Sequence, residues 1–268
     1  MSDLFRYFDN NPGRLIHKWV HYFGIYERHF SAFRNRPIRL LEFGVFNGGS
    51  LQMWKHYFGP QAEIIGVDID PRCAELIEQG IEIVIGDQED RATHARLRDR
   101  YGEFDIVIDD GGHRMRQQLV TLQEMYPAVK PGGIYLAEDL HTSYFPEWGG
   151  GLRQPGTFIE TAKLLIDQLH AWHGRVPEHQ PDLVTSTAFG LHFYESILVI
   201  EKNASAVSGP APEFVCPVGK GPLAKIPGGY WSESSLLLYP ELDGVACLTP
   251  RHGIVATHYA DFHDHRPT

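Results

Sequence analysis

What this sequence lacks first is positive charge: 24 Lys and Arg stand against 34 Asp and Glu, for a formal net charge of −10. The basic residues nowhere gather into a run that could track a phosphate backbone, so nucleic acid is not an expected partner. No apolar stretch reaches membrane-spanning length and the start shows no charged–apolar–small secretion signal, so no membrane partner is expected either. Cysteine is sparse. Cys73, Cys216 and Cys247 are odd in number and far apart, which suggests neither a disulfide framework nor a zinc site, and the chain is expected in the reducing cytoplasm. Internal repeats are absent as well. What is present, 43% hydrophobic and 22% charged residues over 268 positions, suits one α/β domain with additions and a full core.

From Pro37 to about Glu138 short apolar runs alternate with amphipathic stretches. Strands are expected at Ile38–Phe43, Glu63–Val67, Ile81–Ile85, Phe104–Ile108 and Gly133–Ala137, with helices near 49–58, 71–79, 90–100 and 114–129. That alternation implies a parallel sheet with helices on both faces, whose ligands bind beyond the carboxyl ends of the strands. A helix near 158–169 follows, then strands around 183–194 and 196–201, separated too briefly for a crossover and therefore antiparallel. Residues 14–33 place Leu15, Trp19, Tyr22, Tyr26 and Phe33 at helical spacing, as a helix packed on the domain or a lid over its site. The glycine-rich stretch Phe145–Gly151 reads as a mobile loop over that site. The expected division is an N-terminal helical segment (1–36), a main domain (37–202) and an extension (203–268) with apolar runs at 235–239 and 245–248 but little core of its own.

Two sets of motifs fall at strand ends. Glu42-Phe43-Gly44-Val45-Phe46-Asn47-Gly48-Gly49-Ser50 turns a strand into a helix, where glycines let backbone amides approach a ligand and the helix start adds positive character. Phe46 stands where a dinucleotide-binding turn needs glycine, so a smaller ligand carrying a carboxylate fits better than a pyrophosphate. Asp68 is placed to accept ribose hydroxyl protons, and Asp87, beside Gln88, suits an adenine edge. Each alone could be a turn or cap residue; their succession at consecutive strand ends favours a site. The second set is Ile108-Asp109-Asp110-Gly111-Gly112-His113 and Ala137-Glu138-Asp139. Adjacent strands lie about 4.8 Å apart, so Asp110, Glu138 and Asp139 can converge, and a divalent cation would relieve their repulsion. Oxygen ligands favour magnesium, manganese or calcium; the blander reading is that one or two of these acids cap helices. His113 is the candidate general base, and His141 and Tyr144 either orient an acceptor or are solvated loop residues.

The order Glu-x-Gly-x-x-x-Gly-Gly-Ser, Val-Asp-Ile-Asp, Gly-Asp-Gln and Asp-Gly-Gly-His resembles the class I S-adenosylmethionine-dependent methyltransferases, and within them the metal-dependent sugar O-methyltransferases of macrolide and other antibiotic pathways. The resemblance spans about residues 14–201 and is most specific around 42–50 and 105–144. It implies a Rossmann-like α/β fold, a mostly parallel seven-stranded sheet with helices on both faces and an antiparallel last strand. It implies methyl transfer to a hydroxyl of a glycosylated small molecule, with S-adenosylmethionine and Mg2+ or Mn2+ as cofactors. It further implies a cofactor set of Glu42, Gly44, Asn47, Gly48, Ser50, Asp68, Asp87, Gln88 and Asp109, metal ligands Asp110, Glu138 and Asp139, and His113 as base. Gly112 departs from the related motif, which often carries serine, and residues 203–268 have no counterpart. A homo-oligomer is expected. Two other readings compete: an oxygenase component like those of cephalosporin pathways, with Asp110, His113 and His141 on iron, and a non-catalytic S-adenosylmethionine-binding subunit. The first leaves Glu138 and Asp139 unpaired, and the second needs neither the acids nor His113.

Overall fold

The short apolar runs become β1 (Arg39–Phe43), β2 (Glu63–Asp68), β3 (Ile81–Ile85), β4 (Phe104–Asp109) and β5 (Val129–Ala137), all parallel, in a computed structural model that describes residues 2–11, 13–205, 214, 216–242, 245–248 and 253–255. The hairpin β6 (Ala188–Tyr194) and β7 (Ile197–Lys202) completes a seven-stranded sheet of order β3-β2-β1-β4-β5-β7-β6, with β7 antiparallel to both neighbours. This is the Rossmann-like sheet that the sequence implies. The strands read as unbroken apolar runs because both faces are covered. Leu40, Ile64, Ile106, Ile108 and Leu136 enter one core, while Leu41, Phe43, Ile65, Val67 and Val107 enter the other. The strand order reverses between β1 and β4, and a ligand crevice opens at such a switch point.

Among the described residues, seven α-helices accompany the sheet: α1 (Asp3–Asp9), α2 (Tyr22–Phe30), α3 (Gly49–Phe58), α4 (Arg91–Tyr101), α5 (Met115–Met125), α6 (Phe158–Leu169) and α7 (Leu183–Thr187). The aromatic face of α2 is buried: Tyr26 meets Trp54 of α3 edge-on at 5.1 Å, and Phe30 meets the same ring at 5.7 Å. Such pairs add about 0.5–1.5 kcal/mol each beyond their buried area, and Trp54→Ala would cost about 3–5 kcal/mol. His29 of α2 reaches Glu201 at 2.7 Å and the Tyr194 hydroxyl at 2.8 Å, fastening the helix to β6 and β7.

Three local expectations are corrected. The helix expected from residue 14 begins only at Tyr22, because the preceding chain is pinned as a strap across the start of α3. Asn11 donates to the Arg14 carbonyl, the Arg14 amide donates to Gln52, and Gly49 has no Cβ to obstruct the Leu15 carbonyl. Leu15 and Trp19 accordingly stay exposed. Residues 183–187, expected as strand, form α7 because Asp182 and Thr185 make a reciprocal capping box. The stretch after Tyr144, expected as a mobile loop, is knitted by Gly150 N–H to the Phe145 carbonyl and Gly151 N–H to the Ser143 carbonyl.

The chain divides into two compact units, Met1–Ser208 and Gly209–Thr268. In the second, β8 (Ala224–Ile226), β9 (Gly229–Ser232), β10 (Leu237–Leu242), β11 (Val245–Ala246) and β12 (Ile254–Val255) make a small antiparallel sheet whose buried core includes Cys216, Leu223 and Tyr239. Among the described residues, no helix is long and apolar enough to cross a membrane.

Candidate active site

A cleft of about 650 Å³ opens beyond the carboxyl ends of β1, β2 and β4, walled on one side by Leu15, His17 and Lys18 of the strap. Its floor is the turn between β1 and α3. Gly44 adopts φ +92°, and a Cβ there would lie 2.0 Å from the Asp110 carbonyl oxygen, so only glycine lets the two strand ends approach this closely. Phe46, at φ 49°, is also left-handed, which is costly for a bulky side chain, and its ring is largely exposed at the cleft. Asp68 holds that turn in shape: Oδ2 accepts the Val45 and Phe46 amides at 2.8 and 3.0 Å, and Oδ1 accepts the Asp70 amide at 2.9 Å.

Of the residues expected to hold a cofactor, Gly44, Asn47, Ser50, Asp68, Asp87 and Gln88 line the cleft. Asp87 is exposed there and accepts the Glu89 amide. Gln88 turns its side chain inward, donating to Asp109 at 2.5 Å and to Thr121 at 2.9 Å. Gly48 packs beneath the Arg14 side chain. Glu42 and Asp109 are fully buried, outside the cleft wall. Successive residues of a strand point to opposite faces, and Asp109 takes the inner one, where burial pushes its carboxyl up to about 7 against hydrogen bonds from Gln88 and the Tyr135 hydroxyl. Gly112 faces the Gln117 amide, which a Cβ would meet at 2.4 Å.

The acids gather at one end of the cleft. His113 and Asp139 sit in tight left-handed turns at the ends of β4 and β5, at φ 55° and 56°, a conformation His and Asp tolerate better than most residues. His113 Nε2 lies 3.3 Å from Asp139 Oδ2 and 3.9 Å from Asp110 Oδ1, and one ligand atom from each of these three residues falls within 4.8 Å of the others. His113 Nδ1 is buried with no hydrogen-bond partner. Burial holds the His113 pKa below its ordinary value despite Asp139 alongside, so the ring is neutral near pH 7. His141 stands outside this cluster, its Nδ1 2.6 Å from Ser196 Oγ, and an iron site of Asp110, His113 and His141 finds no support in that arrangement. Tyr144 is exposed.

Lys18 is the functional residue that sequence reasoning missed. Its side chain is 2% exposed, and Nζ lies 2.6 Å from Asp110 Oδ2, 2.9 Å from Glu138 Oε1 and 3.2 Å from Glu42 Oε1. Burial alone would lower its pKa, but the facing carboxylates outweigh that and hold the ammonium well above its ordinary value. One ammonium does not offset three acids, and burial together with Asp110 holds Glu138 well above the usual carboxylate range. The Tyr26 hydroxyl donates to Glu138 Oε1 at 2.8 Å and the Tyr22 hydroxyl to Asp139 Oδ1 at 2.6 Å. Carboxylate oxygens and an imidazole crowded this closely, with residual negative charge, fit a hard divalent cation.

No family model matches the chain. It is 39% identical over 212 residues to the demethylmacrocin O-methyltransferase of Streptomyces fradiae, covering 73% of this chain and 52% of that protein. It is 37% identical over 195 residues to the mycinamicin VI 2''-O-methyltransferase of Micromonospora griseorubida, covering 69% and 48%. Among solved structures, the methyltransferase of the mycinamycin biosynthetic pathway in complex with Mg and SAH superposes with a TM-score of 0.66 at 36% identity, over 75% of this chain and 54% of that one. The chain thus spans about half the length of the curated relatives it matches.

Proposed function

The chain belongs to the class I S-adenosylmethionine-dependent methyltransferases, among the sugar O-methyltransferases of antibiotic biosynthesis, and from that membership we propose that it moves a methyl group from S-adenosylmethionine to a hydroxyl of a glycosylated small molecule. The observation that carries this is the convergence of Asp110, Asp139 and His113, with Glu138 beside them, at the end of a cleft floored by the Gly44–Ser50 turn. Asp110, Glu138 and Asp139 would hold Mg2+ or Mn2+, which when bound supplies Lewis acidity toward an acceptor hydroxyl.

The protein's own groups do the rest. Gly44, Asn47 and Ser50 take the methionine end of the methyl donor, Asp68 the ribose and the Asp87–Gln88 segment the adenine, while Glu42 and Asp109 support that wall from beneath. His113, neutral because it is buried, takes the hydroxyl proton at Nε2. The acceptor oxygen then bonds to the methyl carbon as the carbon–sulfur bond breaks, and S-adenosylhomocysteine leaves with the electron pair on sulfur. Trp19, His141, Phe145 and Trp148 form a run of neighbouring rings that suits the apolar faces of a glycoside. The low cysteine content agrees with a cytoplasmic setting, and Phe189 and Phe193, exposed on the edge strand β6, offer a surface for a second copy.

Mass spectrometry of the protein incubated with S-adenosylmethionine, Mg2+ and a panel of glycosylated metabolites tests the proposal. A methyl adduct on a glycoside supports it. Oxygenated products instead of methylated ones would replace it with the oxygenase reading.

A further inference from the structure

We propose that Lys18, Tyr22 and Tyr26 act as positioning residues that set the ligand geometry of the acid cluster, together holding one oxygen of each of Asp110, Glu138 and Asp139 so that the opposite oxygen is left for the cation. The inference rests on the metal-dependent reading above. It concerns three residues to which that reading gives no role.

The three residues follow one another at intervals of four, and Tyr22 and Tyr26 share one face of α2. Their donors divide the acids without overlap at the working side. Lys18 Nζ takes Asp110 Oδ2, Lys18 and the Tyr26 hydroxyl together take Glu138 Oε1, and the Tyr22 hydroxyl takes Asp139 Oδ1. The other oxygens of Asp110 and Asp139, Oδ1 and Oδ2, are the ones that face His113 Nε2.

A free carboxylate rotates about its last torsion and presents either oxygen. Pinning one oxygen with a donor fixed in a buried helix removes that freedom and leaves the second oxygen aimed. The donors are themselves held in place: Tyr22 and Tyr26 are fully buried, Tyr26 among Phe23, Phe30 and Trp54 and Tyr22 against Tyr26 and His21. Partners of this kind are worth about 10- to 100-fold in metal affinity. The arrangement also explains an otherwise costly feature. Two tyrosine hydroxyls and an ammonium are sunk into an aromatic core, and their polarity is matched by the acids at the strand ends and, for Tyr22, by Ser196 as well.

The test is Mn2+ binding by the full chain, followed through the paramagnetic resonance of free Mn2+ with no methyl donor present. Tyr22→Phe and Tyr26→Phe remove one donor each without changing charge or shape. Each is expected to raise the Mn2+ dissociation constant by about 10- to 100-fold and to broaden the bound-Mn2+ spectrum, with S-adenosylhomocysteine affinity held. Tyr57→Phe, at a buried tyrosine outside the cluster, controls for a merely structural effect and should leave Mn2+ binding unchanged. Equal Mn2+ affinity and an identical spectrum in wild type, Tyr22→Phe and Tyr26→Phe would overturn the inference alone. Absence of Mn2+ binding by the wild type would instead overturn the metal-dependent reading on which it stands.

Discussion

Replacing Lys18 by methionine should make the protein's stability depend steeply on pH. The ammonium lies within 3.2 Å of Glu42, Asp110 and Glu138, in a pocket from which water is largely excluded. At an effective dielectric of about 20, each contact is a gross attraction of about 5 kcal/mol, most of it offset by the desolvation of the groups involved. Methionine keeps the length and the packing against Tyr26 and Trp54 but strands the acids, and breaking a buried pair in this way costs about 3–5 kcal/mol. A domain of this size loses about 2–4 °C of Tm per kcal/mol, so the expected fall is about 6–20 °C near pH 8 in the presence of a chelator. Burial already holds Glu42 and Glu138 above the ordinary carboxylate value, and loss of Lys18 raises them further. An acid raised in the folded state binds its proton more tightly there than in the unfolded chain. Its penalty is therefore absent at low pH and grows as pH rises through and above about 4.5. The gap between variant and wild type should be small at pH 5 and large at pH 8, and Mn2+ should narrow it. Thermal scans of both proteins at the two pH values are the assay. A gap that is the same at both would show that the ammonium is not what neutralises these acids.

Three further outcomes follow from the same geometry. His113→Ala should keep donor and Mn2+ binding while losing about 10²–10⁴ in kcat, and because burial lowers the His113 pKa, the wild-type rate should hold as pH falls through about 6.5 before dropping. Asp109→Asn should flatten the pH dependence of stability measured in urea: the wild-type carboxyl, raised to about 7, loses its advantage as pH climbs from about 4 to 7, and an amide has no proton to lose. An acceptor with two neighbouring hydroxyls should react faster than its analogue lacking the unmethylated one, since a six-coordinate cation held by three carboxylates has room for both oxygens; equal rates in a competition assay would refute that pairing.

The strand framework and the acids were legible because they share a cause. Strands covered on both faces read as apolar runs, and the acids at or just past the point where each run stops, Asp68, Asp110 and Asp139, are placed at the ligand edge by the sheet itself. The strap was not legible. Leu15 and Trp19 continue the helical spacing of Tyr22 and Tyr26, and only the tertiary contacts of Arg14 with Gln52 and of Leu15 over Gly49 unwind that stretch. Lys18 was not legible either, because its three acids come from strand ends at least 24 residues away in sequence. Asp109 is expected in the cofactor set beside Asp110 on the metal, and the pleat instead sends Asp109 inward while Asp110 reaches the cleft.

The most direct test of the account is methyl transfer from isotopically labelled S-adenosylmethionine to a glycoside substrate before and after exhaustive chelation. The account predicts label on a sugar oxygen, loss of turnover on chelation with S-adenosylhomocysteine binding intact, and recovery on adding Mg2+ or Mn2+. Undiminished transfer by the chelated protein would contradict it.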